Sequence, residues 1–133
     1  MVLVDSNVRI DFFRNIPTEP AEWLDRNLGS ERLVIGDLIL TEVLQGFKDD
    51  RSFDAARRML GTLEKIEIAG FAVAIDAGRN YRKLRSLGIT LRGTVDVLIE
   101  TRCITSGLRL LHDDRDFDAF EKHIGLRVVD CSR

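Results

Sequence analysis

The sequence predicts an α/β protein: a three-layer sandwich whose central parallel sheet has five strands and is flanked by helices. Short apolar runs alternate along the chain with segments of helical periodicity, which is the pattern of strands joined by crossover helices. The first run, Met1 to Val4, stops at Asp5 without polar alternation, as expected for a strand buried on both faces. With 133 residues, we expect one domain over 1–133.

The predicted strands are apolar runs that end at a polar residue or a glycine. They cover residues 1–5, 33–35, 66–69, 108–111 and 126–129. Predicted helices lie between them, at 6–14, through Trp23 to Leu28, and at 37–47, 51–63, 71–87, 94–104 and 115–123. The third helix shows the clearest stripe, with Leu40, Val43, Leu44 and Phe47 at i, i+3, i+4 and i+7. Asp37 and Thr94 are the expected helix caps, and Gly88 and Gly107 the expected ends.

Composition is that of an ordinary globular protein, with 44% apolar and 32% charged residues. No apolar run approaches the length of a membrane span, and no basic leader precedes the first apolar residues. Cys103 and Cys131 lack metal-site spacing and are expected to be free thiols of a cytoplasmic protein.

Basic residues are concentrated in one segment although the net charge is −2. Between Ala77 and Val95 there is no acidic residue, and Tyr81 lies among five cations: Arg79, Arg82, Lys83, Arg85 and Arg92. One interpretation is a solvated helix face followed by a loop. The other is a surface that contacts nucleic-acid phosphates. Composition leaves both open.

Four carboxylates follow predicted strands or lie in early helical turns. Asp5 and Asp114 follow two strands, whose carboxyl ends meet at the functional edge of a parallel sheet. Glu42 and Asp96 lie early in two helices. Structural alternatives exist, because Asp5 and Asp114 could cap helices, Asp96 could complement a helix dipole, and Glu42 could face water.

Convergence of the four carboxylates would favour a metal site. Two unit charges about 4 Å apart repel by ~4 kcal/mol at an effective dielectric constant of 20, so such a cluster needs neutralisation. Hard oxygen ligands select Mg²⁺ or Mn²⁺, and a cation held this way can activate water for phosphodiester hydrolysis. His112 is a possible general acid beside this site, although we expect it simply to end a strand.

Three motifs resemble PIN-domain proteins of the VapC toxin type. They are Val-Asp-Ser-Asn-Val-Arg-Ile-Asp-Phe-Phe-Arg at 4–14, Thr-Val-Asp with Leu-Ile at 94–99, and Leu-Leu-His-Asp-Asp-Arg-Asp-Phe at 110–117. Their order and spacing match over essentially the whole chain. The resemblance implies a PIN-like sandwich and a Mg²⁺- or Mn²⁺-dependent endoribonuclease centre. Its carboxylates would be Asp5, Glu42, Asp96 and Asp114, with Asp116 as a further metal-site acid and Thr94 supporting.

The same resemblance implies partners. Family members usually form homodimers, are inhibited by a cognate VapB-type antitoxin, and cut structured RNA such as tRNA or rRNA. This chain departs from the family at Asn7, where Ser or Thr is common, and at Arg9, where an apolar or aromatic residue is common. Asn7 can still hydrogen-bond a carboxylate or a metal-bound water. We expect Arg9 at the surface, with a contact to substrate or antitoxin as the alternative.

Two other classes of function compete. A non-catalytic PIN-like module would bind RNA or protein, but such modules arise by loss of site acids and all four are present here. A phosphoryl-transfer enzyme or receiver domain also places Asp after strands. A phosphatase of the haloacid-dehalogenase type would have a second Asp at position 7, which is Asn, and a receiver would have its acceptor Asp on a mid-chain strand.

Overall fold

The computed structural model describes residues 1–91 and 93–131, which form a parallel sheet with helices packed against it. The strands are β1 (Val2–Val4), β2 (Leu33–Gly36), β3 (Glu64–Ile66) and β4 (Arg109–Leu111). The helices are α1 (Ser6–Phe13), α2 (Glu19–Asn27), α3 (Asp37–Leu44), α4 (Asp50–Gly61), α5 (Phe71–Ser86), α6 (Thr94–Ser106) and α7 (Asp118–His123). A single 3₁₀ turn, Arg115–Phe117, precedes α7.

The sheet has the strand order β3-β2-β1-β4, and each neighbouring pair is parallel. The opening run is therefore a central strand, flanked by β2 and β4. Its side chains alternate between two apolar clusters, as a pleated strand requires. Leu3 packs in the cluster that contains Ile39 and Ile99, whereas Val2 and Val4 pack with Trp23. Helices thus cover both faces of the sheet, as the sequence predicted.

The prediction of five strands is wrong for the described residues, which form four. Residues 126–129 meet β4 only at an isolated bridge between Leu110 and Val128. Two hydrogen bonds make this contact, from Leu110 N to Arg127 O and from Val129 N to Leu110 O. Leu126 and Val129 are nevertheless buried, so the segment's apolar residues fill the core without extending the ladder.

The third strand was also predicted too late in the chain. The observed strand is Glu64–Ile66, and its pattern is mostly exposed and polar because it lies at the edge of the sheet. Ile68, in the predicted run, is fully buried, but its backbone N–H donates to Asp37 Oδ1 at 2.9 Å and not to a strand. Gly36 approaches the side chain of Ile68 closely, since a Cβ at position 36 would lie 2.5 Å from Ile68 Cδ1 and would force the isoleucine to shift.

Helix boundaries agree closely with the prediction, but two predicted caps differ. Asp37 and Thr94 are the first residues of α3 and α6, and Gly36 and Gly93 occupy the N-cap positions. The helix end at Gly107 is confirmed, because this residue has a left-handed φ of 67°. Cys103 and Cys131 are both free, as predicted.

Candidate functional site

The carboxyl edge of the sheet brings Asp5 and Asp114 to the same end of two neighbouring strands. β1 and β4 pair in register, with Val4 opposite Leu111, and the N–H of Asp5 donates to the Leu111 carbonyl at 2.9 Å. Asp114 follows three residues later. Because β1 and β4 are hydrogen-bonded neighbours, the chain segments that leave them begin side by side.

Asp5 occupies the N-cap position of α1, yet its side chain does not form a cap hydrogen bond. The residue is 2% exposed, and its Oδ1 is buried without a hydrogen-bond partner in the described structure. Burial, together with the charges of Asp96 and Glu42, raises the pKa of Asp5 to about 7, although the backbone N–H groups of the first turn of α1 act in the opposite direction. These N–H groups therefore do not account for Asp5 Oδ1, which stays buried without a partner among the described residues.

Asp96 lies in the first turn of α6 and is half-buried. Burial raises its pKa to about 6, and the charges of Glu42, Asp114 and Asp116 add to the shift. These couplings connect Asp96 with acids on α3 and on the segment after β4. Glu42 itself is half-buried on α3, and its Oε1 is buried without a partner among the described residues. The structure therefore brings the five predicted acids into one electrostatically coupled group.

Asp114 also has a structural role. Its Oδ1 accepts a hydrogen bond from the Asp116 N–H at 2.9 Å and so caps the 3₁₀ turn. The N–H of Asp114 donates to His112 Nδ1 at 3.2 Å, while the His112 ring packs edge-on against Phe117 with centroids 4.8 Å apart. Burial lowers the pKa of His112. The histidine thus accepts at Nδ1 and orients the segment that carries Asp114.

Glu100 is a sixth acid of this group, and the sequence interpretation missed it. It lies on α6, four residues after Asp96, and is 1% exposed. Burial raises the pKa of Glu100 to about 10, and the charges of Asp96, Asp5, Asp114 and Asp116 contribute. The available signal was an acidic residue between Ile99 and Cys103 on an otherwise apolar helix face. We therefore define the acidic cluster as Asp5, Glu42, Asp96, Glu100, Asp114 and Asp116.

The other predicted residues lie around this cluster or apart from it. Asn7 and Thr94 are exposed, each in the first turn of a helix. Arg9 is not at the surface as predicted: it is 5% exposed, and its Nη2 donates to the Val34 carbonyl at 3.3 Å because α1 packs over the sheet. Burial lowers the pKa of Arg9 to about 10.

The basic residues lie on the exposed surface of α5, with one exception outside the described residues, Arg92. Arg79, Arg82 and Lys83 are spaced i, i+3 and i+4, so they share one face of the helix. Arg85 lies 5.7 Å from the centre of the Tyr81 ring. Arg79 and Arg82 also line a groove of about 740 Å³ together with Thr94, which begins the helix that carries Asp96.

The acidic cluster suits a divalent cation in its donor chemistry. Within residues 1–91 and 93–131, three of its oxygens, Asp5 Oδ1, Glu42 Oε1 and Glu100 Oε2, are buried without a hydrogen-bond partner, and hard cations prefer oxygen ligands. In the described parts of the chain, however, no three His, Cys, Asp or Glu side chains are as yet arranged to hold one ion. Side-chain rotation would have to close the cluster, because carboxylates without a cation repel one another.

A parallel sheet with an acidic cluster at its carboxyl edge is the arrangement of the PIN domain, and the PIN-domain family model matches residues 2–123. The chain belongs to this family. More particularly, it is a homologue of VapC ribonucleases. It is 29% identical over 131 residues to ribonuclease VapC11 of Mycobacterium tuberculosis, with 97% of this chain and 98% of the relative covered. A VapC ribonuclease of Mycobacterium bovis matches with the same identity and coverage.

Solved structures share the fold. VapBC-1 from nontypeable Haemophilus influenzae aligns over 100% of both chains with a TM-score of 0.73 at 18% identity. DNA-bound VapBC from Salmonella typhimurium aligns over 98% of this chain and 97% of the other, with a TM-score of 0.72 at 23% identity. A toxin–antitoxin complex from Klebsiella pneumoniae gives 0.71 at 20% identity over 100% and 99%.

Proposed function

We propose that this protein is the toxin of a type II toxin–antitoxin system and acts as a Mg²⁺- or Mn²⁺-dependent endoribonuclease on structured RNA, tRNA or rRNA. The observation that carries the proposal is the acidic cluster. Its coupled carboxylates come from the end of β1, from α3 and α6 and from the segment after β4, and some of their oxygens are buried without a partner in the described part of the chain. Repulsion among these carboxylates destabilises the protein without a metal, and a bound cation would neutralise it. Homology to VapC ribonucleases supports ribonucleic acid as the substrate.

In this proposal Asp5, Glu42, Asp96 and Asp114 hold the cation, with Asp116 as a further ligand. The bound ion would lower the pKa of a water molecule and offset the charge that grows on the phosphate during hydrolysis. Asn7 and Thr94, exposed at the starts of α1 and α6, would support the site by hydrogen bonding. The basic face of α5 would hold the RNA backbone, because it borders the groove that reaches Thr94.

Two protein partners are part of the proposal. We infer that a VapB-type antitoxin inhibits the protein in the cytoplasm and that the protein forms a homodimer. The structural neighbours are described as VapBC or toxin–antitoxin complexes. Two exposed apolar side chains of α5 are consistent with a surface that contacts a partner: Phe71 is 93% and Ile75 57% exposed.

The deciding experiment is cleavage of total bacterial RNA by the purified protein with Mg²⁺ or Mn²⁺, with EDTA, and with the variants Asp5→Asn and Asp96→Asn. We expect discrete fragments only when the metal and both aspartates are present. Asp25→Asn, which removes an exposed carboxylate on α2, is the matched control and should cleave normally. Full activity of Asp5→Asn or Asp96→Asn in metal-replete protein would exclude the mechanism.

A non-catalytic RNA- or protein-binding module is the alternative, favoured by the open arrangement of the acidic cluster among the described residues. Calorimetry with Mn²⁺ separates the two, because a binding module with splayed carboxylates would take up no ion at this site. Expression in a bacterial host gives the biological readout. A toxin halts growth, and its Asp5→Asn variant does not.

A further inference from the structure

Glu100 and Asp5 lie deeper than the other members of the acidic cluster. Glu100 is 1% and Asp5 2% exposed, whereas Asp96, Asp114 and Asp116 are only half-buried. Residues four apart on a helix lie on the same face, so Glu100 follows Asp96 one turn further along α6, toward the core. Its neighbours along the helix, Ile99 and Thr101, are 0% and 2% exposed. A carboxylate at this depth needs a compensating partner.

The described residues do not supply one for Glu100 Oε2, which is buried and forms no hydrogen bond. Among the described residues, the charges that act on Glu100 come from Asp96, Asp5, Asp114 and Asp116, and these four are negative. A structural role would instead be expected to bring a basic side chain or a backbone N–H group to the carboxylate. The neighbouring Thr101 illustrates this, since its hydroxyl accepts a hydrogen bond from Asn80 at 3.1 Å.

Resting on the proposed function, we propose that Glu100 is an additional ligand of the divalent cation, which it binds through Oε2 from the interior side of the acidic cluster. Asp5 Oδ1 and Glu42 Oε1 are likewise buried and unpartnered within the described structure, so all three oxygens gain the same compensation from one positive charge. A hard cation accommodates six or more oxygen ligands, which leaves room for this donor.

A permanently protonated Glu100 is the competing explanation, because burial raises its pKa to about 10. A neutral carboxylic acid could remain in the site and only orient Asp96 or Asp5. Glutamine separates the two roles, since it keeps the size and hydrogen-bonding capacity of the protonated acid but cannot carry the negative charge that attracts a cation. The variant Glu100→Asp keeps the charge and serves if Glu100→Gln does not fold.

The test is calorimetric titration of the full chain with Mn²⁺. We expect the Kd of Glu100→Gln to rise by about tenfold or more, and Glu100→Asp to bind more tightly than Glu100→Gln. Glu22→Gln, which removes an exposed charge on α2, and Thr101→Val, which alters a buried polar neighbour, should leave the Kd unchanged. Thermal unfolding without metal gives a second readout, in which Glu100→Gln should be more stable than the unmodified protein near neutral pH because folding no longer requires a proton to be taken up at this buried position.

The outcomes distinguish this proposal from the proposed function. Unchanged Mn²⁺ affinity in Glu100→Gln, with affinity lost in Asp5→Asn, would overturn the assignment of Glu100 and leave the nuclease intact. If the unmodified protein takes up no Mn²⁺, the metal centre and the role of Glu100 both fail.

Discussion

At the scale of single residues, His112 shows how the segment after β4 is oriented. Its Nδ1 accepts the Asp114 N–H at 3.2 Å, so in this arrangement the imidazole proton lies on Nε2. The ring also packs edge-on against the buried Phe117. Both contacts hold Asp114 in position, which makes His112 a positioning residue and leaves a general-acid role without support from the geometry.

Two substitutions separate these roles. Asparagine places an oxygen acceptor where Nδ1 lies, so His112→Asn should keep RNA cleavage and Mn²⁺ affinity close to those of the unmodified protein. His112→Leu leaves the Asp114 N–H unpaired and should lose about tenfold or more in cleavage rate. His123→Asn at the end of α7 is the control. A loss of about 100-fold in His112→Asn with unchanged metal affinity would instead identify a proton donor.

Residue identity explains why some site members could be predicted and Glu100 could not. Asp5 comes directly after an apolar strand and Asp114 three residues after another, and the carboxyl ends of parallel strands meet at one edge of the sheet. Glu100 does not follow a strand. It lies within a helix, where the pattern of apolar residues predicts only which positions are buried. Whether a buried acid faces a core or a charged cluster depends on packing between α6 and the sheet. Arg9 was misplaced for the same reason, because its surroundings are set by how α1 covers β2.

At the scale of elements, α5 combines a core face with a charged face. Val73, Ala77 and Leu84 are buried, and Asn80 bonds to Thr101 of α6. On the outer side Arg79 pairs with Asp76 at 3.1 Å, and Arg85 lies over Tyr81. Arg82 and Lys83 are exposed, and within the described residues neither forms an ion pair. These two cations are therefore the ones most available to an RNA backbone.

Removing both charges tests the role of α5 in RNA binding. In an Asp5→Asn background, which prevents cleavage, Arg82→Gln with Lys83→Gln should weaken RNA binding and reduce its salt dependence by about one counterion per lost phosphate contact. Arg51→Gln with Arg58→Gln removes two exposed charges from α4 and is the matched control. Equal loss in both double variants would show that α5 contributes only net charge.

The edge elements mark the limit of what sequence patterns predict. β3 pairs with one neighbour only in the described sheet, and Glu64 on it forms a 2.8 Å ion pair with Arg32, so its residues are polar and carry no apolar run. Residues 126–129 have the opposite property: they are apolar enough for a strand, but pairing with β4 is limited to Leu110. In both cases the hydrophobicity of the residues indicates whether they are buried. It does not indicate whether they pair in the sheet, because hydrogen bonding between strands depends on backbone geometry.

At the scale of the whole molecule, the sheet gathers charge that the free protein must tolerate. None of the helices in the described part of the chain could cross a membrane. Strands and helices bring six carboxylates to one edge of the sheet. The fold without a cation therefore binds protons at this edge more tightly than the unfolded chain does. The raised pKa values of Asp5 and Asp96, about 7 and about 6 instead of 3.8, reflect this tighter proton binding.

Stability without metal should consequently fall as the pH rises. Below about pH 4 the carboxyl groups are protonated in both states, so their contribution to stability is fully present. As the pH increases, the unfolded chain releases protons that Asp96, Asp5 and Glu100 retain in the fold, and the free energy of unfolding decreases until their folded pKa values of about 6, about 7 and about 10 are passed. Excess Mg²⁺ should reverse this decline, because the cation replaces the protons.

Thermal unfolding from about pH 5 to about pH 8, in EDTA and in Mg²⁺, measures the effect. Asp5→Asn with Asp96→Asn should make the profile in EDTA less steep, leaving the contribution of Glu100, and remove the response to Mg²⁺, whereas Asp25→Asn on α2 should change neither. A midpoint that rises with pH in EDTA would contradict the assignment, since it would require carboxylates stabilised by folding. The repulsion among the carboxylates that lowers the stability of the metal-free fold is then also what favours the binding of a cation.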